Sequence, residues 1–389
     1  MRSRRDRLGT GRLGWIASLS VLLGAAFLLV ASSATALASP GRYIVVLKDR
    51  VSHPGLVAAK QARRYGAETT YVYRSALTGY AATIPASQVD SVRADDRVAY
   101  VEPDGTVSAL AQTLPWGIDR IDADISSTLA GNGSGAISNV RAYVIDTGIY
   151  RSHPDLNVVN HVNFAGGQNN DCNGHGTHVA GTVAARDNTS DVVGASPGVP
   201  LIGVKVLGCG GSGSTSGVIK GVDWVTANAV KPAVANMSLG GGPSQALDDA
   251  VRNSVSHGIL YSLAAGNEGT DACNSSPARA GAGTNNGIVT TAATNGSNQE
   301  ASWSNYGPCV DLWAPGVSIL STRKGGGTTT MSGTSMASPH VAGTGALYLS
   351  SHTTTAPAQV ESQLKTNALG PGTLSKDGRS ISLLYAGGY

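Results

Sequence analysis

Hydrophobic residues along this chain fall into short runs whose period changes with position. Near the start, Tyr43–Leu47 reads as a strand, and residues 54–66 carry a helical stripe that stops at Gly66. Strands follow at Thr70–Tyr73 and Gly79–Ile84, Ser87 caps a helix through Asp95, and Val98–Val101 closes as a strand. This order is βαββαβ, which predicts a ferredoxin-like unit over residues 42–105, too small to bury much core on its own. It suits either a binding module or a folding aid docked on the domain that follows. The polar, small-residue stretch Thr106–Thr113 reads as the linker.

From Pro115 onward strands and helices alternate. Strands are expected at Arg141–Ile145, Pro200–Leu207, Ala233–Leu239, Ile259–Ala264 and Ile288–Ala293. Helices are expected at Gly176–Ala185, Ser216–Ala229, Ser244–His257, Ser335–Ser350 and Ala358–Asn367. Runs such as Ala142–Ile145 and Ile259–Leu263 are apolar at every position, as strands covered on both faces are. The expected class is therefore α/β, a mostly parallel sheet with helices on both faces, and ligands sit beyond the carboxyl ends of such strands.

Ahead of these units, Arg2, Arg4, Arg5, Arg7 and Arg12 precede an apolar run from Trp15 to Ala31, then Ala34-Thr35-Ala36-Leu37-Ala38. These are the three regions of a secretory signal, cut after Ala38; the rival is a retained membrane anchor. Ser3-Arg4-Arg5 is too loose a match to choose the twin-arginine route. No second apolar run is long enough to span a bilayer. The divisions expected are residues 1–38, 39–110 and 111–389.

Charge then changes the picture. The whole chain carries +3, but from Gln112 onward 14 Lys+Arg face 17 Asp+Glu, which gives −3. The basic excess lies in the first 111 residues, and no basic face remains to suggest nucleic acid. Four cysteines, Cys172, Cys209, Cys273 and Cys309, lie in the exported part. They read as two disulfides with three pairings open, since no C-x-x-C spacing supports a zinc site.

Candidate chemistry gathers at three places. Gly333-Thr334-Ser335-Met336-Ala337-Ser338-Pro339-His340 puts Ser335 where an apolar helix opens, so free N–H groups there would stabilise an oxyanion. An ordinary N-cap is the plain alternative. Asp146 ends the strand Ala142–Ile145 and precedes the turn Thr147-Gly148. His175 opens a small-residue helix in Asn173-Gly174-His175-Gly176-Thr177-His178, where glycines let backbone pass close to the ring. Zinc on His175 and His178 is disfavoured because no H-E-x-x-H occurs. Another nucleophile candidate, Gly194-Ala195-Ser196-Pro197-Gly198, matches G-x-S-x-G, but Pro197 has no N–H to form an oxyanion hole and Pro-Gly reads as a turn.

Asp146, His175 and Ser335 occur in the chain order of the subtilisin triad. With Val144–Gly148, His175–Gly181 and Gly333–His340, the chain resembles the subtilisin-like serine proteases from about Pro115 to its end, in particular the proteinase K branch and its aqualysin-type secreted enzymes. Residues 42–105 resemble that family's inhibitory propeptide. The resemblance implies a secreted serine endopeptidase made as a self-processing zymogen. Protein and peptide substrates, the chain's own propeptide as intramolecular inhibitor, and a monomeric state are the partners implied. It adds Asn267 of Ala264-Ala265-Gly266-Asn267 as oxyanion donor. It also implies that Leu207–Gly213 (Leu207, Gly211, Ser212) and Ser238-Leu239-Gly240 clamp an extended peptide by β-addition. Ser238–Gly240 and Ala264–Gly266 would wall an uncharged S1 pocket that takes large apolar P1 side chains.

Two disulfides, Cys172–Cys209 and Cys273–Cys309, are implied in the same way, as is structural Ca2+. Asp311 matches one calcium ligand, although Ala280–Gly287 is longer and richer in glycine than the family's stretch. Asp119 and Asp122 match a second site, with Ala123 where a side-chain ligand is expected. His178 and His340 are expected to be packed helix residues. A catalytically silent binding protein on the same scaffold would show a lost triad or oxyanion residue, and none is lost. A metal hydrolase is a more distant alternative.

Overall fold

The structure is a computed structural model that describes residues 41–105 and 112–389. The expected signal sequence and most of the linker lie outside the described residues. The chain divides into two compact units at Ser108/Ala109.

In the first unit, β1 (Gly41–Leu47), α1 (Pro54–Tyr65), β2 (Glu68–Tyr73), β3 (Gly79–Ile84), α2 (Val89–Arg93) and β4 (Val98–Pro103) follow in sequence. The strands form an antiparallel sheet in the order β2-β3-β1-β4. This is the ferredoxin-like arrangement read from the hydrophobic pattern. Gly66 ends α1 in the left-handed region at φ 66°, where glycine pays no Cβ penalty. Val45, Leu47, Val57, Tyr80, Ile84 and Val92 fill the core between sheet and helices. Within it the Tyr80 hydroxyl donates to Gln61, whose amide donates to Asp95 at 2.9 Å.

The second unit is built on seven strands in the order β11-β10-β9-β8-β5-β7-β6, every adjacent pair parallel. They are β5 (Arg141–Asp146), β6 (Val158–Asn163), β7 (Leu201–Lys205), β8 (Ala233–Met237), β9 (Ile259–Ala264), β10 (Ile288–Thr294) and β11 (Leu312–Pro315). On one face lie α4 (His175–Ala184), α7 (Thr334–Ser351) and α8 (Pro357–Asn367), which pack Val179, Val183, Val341, Leu347 and Leu364 into the larger core. On the other, α5 (Thr215–Asn228) and α6 (Gln245–Ser256) bring Val218, Val222, Leu247 and Val251 onto the sheet. Ser214 and Ser244 cap these two helices, accepting from Gly217 N and Leu247 N. A short helix α3 (Trp116–Arg120) and an antiparallel pair, β12 (Ile319–Thr322) with β13 (Thr328–Met331), complete the unit.

Helix α7 has no polar face and is buried along almost all of its length, as a helix enclosed in a core must be. Its glycines allow close approach: a Cβ on Gly343 would lie 2.7 Å from that of Ala195 and 3.0 Å from the Val183 carbonyl. Among the described residues no helix is long and apolar enough to cross a membrane.

Candidate active site

Parallel order brings the carboxyl ends of β7, β5, β8 and β9 side by side. Asp146 ends β5, Leu207 lies just beyond β7, Ser238 follows β8 and Ala264 ends β9. The winding of the sheet reverses around β5, and crevices form at such reversals. His175 and Ser335 reach it from the first turns of α4 and α7.

Asp146 is fully buried and accepts from Thr147 N at 2.6 Å. His175 Nδ1 lies 2.8 Å from Asp146 Oδ1 and 3.0 Å from Oδ2. With Nδ1–H donating to the carboxylate, the free lone pair is on Nε2. Burial by itself lowers the pKa of His175. The charge and hydrogen bond of Asp146, with the Asp171 charge, outweigh burial and hold it above the ordinary imidazole value. Gly174 takes φ 114°, and a Cβ on Gly176 would collide with the Gly148 carbonyl and press on Asp146 Oδ1 at 3.1 Å. The two glycines flanking the histidine are needed for backbone shape and for space, respectively.

Sequence reasoning missed Asp171. Its buried carboxylate accepts from Thr147 Oγ1 (3.0 Å), Asn173 N (2.9 Å), Gly174 N (2.9 Å), Thr177 N (3.1 Å) and Thr177 Oγ1 (2.5 Å). It takes the Gly174 and Thr177 N–H groups at the start of α4, while those of His175 and Gly176 go to Asn173 Oδ1 and Thr147 Oγ1. Its bond to Thr147 ties the helix start to the turn after Asp146. The available signal was an acidic residue just ahead of a helix start.

Ser335 is half-buried and lines the same cleft as His175, with a volume of about 390 Å3. Its hydroxyl donates to the Ser238 carbonyl at 3.2 Å, and Ser238 Oγ donates back to the Ser335 carbonyl at 2.7 Å. A Ser335–His175 contact at hydrogen-bond distance is expected from the sequence. Instead the hydroxyl is turned to the Ser238 carbonyl, and catalytic contacts of this kind often tighten only when substrate is present. Ser335 is not the N-cap of α7; Gly333 takes that position.

A second lobe of the cleft, about 400 Å3, is lined by Ala264, Gly266, Asn267, Glu268, Thr334 and Ser335. Asn267 Oδ1 accepts from Thr334 N at 2.9 Å and from Thr334 Oγ1 at 3.0 Å, and Thr334 Oγ1 accepts from Gly266 N at 3.0 Å. With the amide oxygen engaged, Nδ2 is the atom of Asn267 left to donate, and Asn267 lines this lobe. Leu207, Gly211, Ser212, Ser238, Leu239 and Gly240 line the first lobe. Beside the small residues expected to wall S1, Glu268 also lines the second lobe, held by Asn305 Nδ2 at 2.8 Å.

Both expected disulfides, Cys172–Cys209 and Cys273–Cys309, are formed. Next to the first, Asn173 Nδ2 donates to the Cys209 carbonyl at 3.0 Å, so the His175 segment is held to the Leu207–Gly213 edge. The competing nucleophile fails: Ser196 is fully buried in a loop and donates to Val183 O at 2.9 Å. His178 and His340 are likewise buried, each holding one carbonyl, that of Ile319 and that of Met336.

These features decide the family. Residues 138–382 match the subtilase family, and residues 42–110 match the peptidase inhibitor I9 family. This chain is a subtilase.

An extracellular serine proteinase of Thermus sp. (strain Rt41A) is 45% identical over 360 residues, 84% of each chain. An alkaline serine exoprotease A of Vibrio alginolyticus is 43% identical, covering 83% of this chain and 61% of that one. The crystal structure of a cold-adapted subtilisin-like serine proteinase superposes with a TM-score of 0.62 at 45% identity, covering 70% of this subtilase and 98% of that chain. The chain is thus a serine-type peptidase with a subtilisin-like fold and an I9 inhibitor domain.

The calcium candidates fare differently. Asp311 is buried against Lys365, whose Nζ lies 2.9 Å from Asp311 Oδ1 and 3.0 Å from Glu361 Oε1. A lysine cation thus takes the carboxylate that a metal would need, and these residues do not fit an ion. Asp119 is exposed on α3 and Asp122 follows it at φ 60°. Among the described residues no three or more His, Cys, Asp or Glu side chains converge to hold a metal. Oxygen atoms gather elsewhere, at a place the sequence did not suggest. The carbonyls of Arg186, Ser190 and Val192 meet around Gln112 Nε2 at 2.6, 3.4 and 2.9 Å, and Asn188 Nδ2 joins them to Asp155 at 2.7 Å.

Proposed function

We propose that this subtilase is a secreted endopeptidase that works through Asp146, His175 and Ser335. In the reaction, Asp146 holds the His175 tautomer and stabilises its cation. His175 Nε2 takes the Ser335 proton as Oγ attacks a peptide carbonyl, the Asn267 amide and the Ser335 N–H receive the oxyanion, and His175 then protonates the leaving amine. Water, activated by the same imidazole, releases the acyl group. The observation that carries this reading is the two-oxygen grip of Asp146 on His175 Nδ1, in one cleft with Ser335. Leu207–Gly213 and Ser238–Gly240 border that cleft and would pair with extended peptide, giving affinity through backbone bonds and a broad preference.

Residues 39–110 act as inhibitor and folding aid before removal, residues 1–38 direct export, and residues 111–389 remain as a monomeric enzyme. The extracellular name of the Thermus relative supports export. Labelling with a fluorophosphonate tests the core of this reading: wild-type protein is labelled and Ser335→Ala is not. Equal labelling, or retained peptide hydrolysis by Ser335→Ala, overturns it.

Ca2+ would serve as a structural ion; the carbonyls of Arg186, Ser190 and Val192 with the Asp155 carboxylate would hold it once the Gln112 and Asn188 amides, whose nitrogens face these oxygens, turn their own oxygens inward. Hard cations take backbone, amide and carboxylate oxygens in this mixture. Asp155 is buried, and among the described residues it has no cationic partner. When bound, the ion supplies positive charge and cross-links the loop at 186–192; catalysis does not pass through it.

A further inference from the structure

Strand β7 ends in a charge where a buried strand should be apolar. Lys205 is 1% exposed and stands in parallel register beside Asp146. Among the described residues no carboxylate oxygen lies within 4.0 Å of its Nζ. An ammonium removed from water without direct pairing is unfavourable, so its three donors matter. They go to Thr147 O at 2.7 Å, to Leu207 O at 2.9 Å and to Cys172 Sγ at 3.6 Å. The first acceptor belongs to the turn after Asp146, the second to the segment bordering the substrate cleft, and the third to the disulfide that reaches Cys209. The backbone adds to the same junction, since Val206 N and Leu207 N donate to Asp146 O at 2.9 and 3.2 Å.

We propose that Lys205 is a positioning residue: its ammonium locks the Asp146 turn to the Leu207 substrate edge and supplies the positive charge facing the buried carboxylates of Asp146 and Asp171. This rests on the triad reading above. The titratable groups around it are Asp146 on β5, Asp171 ahead of α4, His175 on α4 and His161 on β6. His161 is held neutral by accepting from Ile149 N at 3.0 Å, with burial lowering its pKa. Burial also lowers the pKa of Lys205, while Asp171 and Asp146 act to raise it. With His175 neutral, the cluster of two carboxylates and one ammonium carries −1; without the ammonium it carries −2, and protonation of His175 becomes easier.

Lys205→Met keeps the stem and removes the charge and its donors. Rates are normalised to active sites counted by fluorophosphonate labelling, so a loss of folded enzyme does not count. The acid limb of kcat/KM against pH is expected to move upward by about 0.5 or more. The kcat/KM of a tetrapeptide amide is expected to fall about tenfold further than that of a single-residue ester, which does not reach the Leu207 edge. An unmoved limb together with equal losses on both substrates overturns the proposal. Ser335→Ala is assayed in parallel. If it still hydrolyses peptide, the nucleophile assignment fails; if it is dead while Lys205→Met matches wild type, only the role of Lys205 fails. Should Lys205→Met not mature, [15N]lysine NMR of the full Ser335→Ala chain decides. One ammonium resonance protected from solvent exchange is expected, and its absence overturns the proposal.

Discussion

Thr334 directs both of its donors to one atom, the side-chain oxygen of Asn267, from its N–H at 2.9 Å and from its hydroxyl at 3.0 Å. The residue before the proposed nucleophile therefore orients the proposed oxyanion donor. Asn267→Ala is expected to lower kcat by about 10²–10³ with KM little changed, because a donor used in the transition state is lost. Thr334→Val keeps the N–H contact and loses the hydroxyl, so its kcat is expected to fall about tenfold. Steady-state kinetics on a chromogenic peptide measures both, and an unchanged kcat in Asn267→Ala would remove Asn267 from the site.

The Asp146–His175 contact sets the pH dependence. The proposed base must be neutral, and the Asp146 carboxylate overcomes burial to raise the pKa of His175. Activity is therefore expected to be lost as pH falls through a value above the ordinary 6.5 of imidazole. Asp146→Asn removes the charge that does this, so its acid limb should move to lower pH while kcat drops by about 10⁴ through loss of the tautomer. A limb that stays in place in Asp146→Asn would mean that another group titrates.

His178 and His340 predict acid sensitivity of the fold itself. Burial outweighs the backbone hydrogen bonds of His178 (Ile319, Thr329) and of His340 (Met336) and pushes both down to about 4 from 6.5. Depressed pKa values mean that the unfolded chain takes up protons before the folded one. Stability is therefore intact above pH 6.5 and declines as pH falls from 6.5 through about 4, by up to about 3 kcal/mol per imidazole. Urea unfolding of Ser335→Ala at a series of pH values measures the slope. His340→Gln should flatten it, whatever its effect on stability at neutral pH.

The central strands and the long helices were legible because burial on both faces, or all round, leaves an unmistakable apolar record. Ile259–Ala264 was bounded correctly from sequence, and α4 and α7 were each placed to within one residue. What escaped was the periphery. Strand β6, Val-Val-Asn-His-Val-Asn, lies at a sheet edge and carries polar side chains; β11 is four residues long and ends in Pro315. Edge strands need neither an apolar run nor a full set of N–H groups. At the site, short motifs pointed to the residues that converge on the cleft. The supports (Asp171, Lys205, Thr334) escaped because their roles depend on contacts between elements distant in sequence. Nor does anything local at Asp311 reveal that Lys365 arrives from α8 to pair with it.

Glu268 extends the expected substrate range. It lines the lobe that Ala264–Gly266 also border, and its carboxylate is exposed. A P1 lysine should therefore be accepted beside large apolar residues. Glu268→Gln is expected to reduce kcat/KM for P1 Lys about three- to tenfold relative to P1 Leu, less so at high salt, since an exposed charge is screened. A peptide library read by mass spectrometry in both proteins measures the ratio, and an unaltered ratio would place the P1 side chain elsewhere.

Two buried carboxylates give opposite expectations for a chelator. Burial pushes Asp155 up to about 6, with partial relief from Asn188 and Val192 N but, among the described residues, no lysine or arginine in ion-pair contact. A divalent ion among the nearby carbonyls would relieve that burial and stabilise the folded chain by about 2.7 kcal/mol at a hundredfold excess over Kd. Asp311 is pushed up to about 7 by burial and already has Lys365 beside it. In Ser335→Ala protein, which cannot digest itself, EDTA should lower Tm by about 5–10 °C and added Ca2+ should restore it. Asp155→Asn should abolish most of that response. Lys365→Met should instead lower Tm equally with and without Ca2+, because it leaves Asp311 and Glu361 buried without their cation, at about 3 kcal/mol. If Lys365→Met made the protein more responsive to Ca2+, the lysine would be standing where an ion can bind.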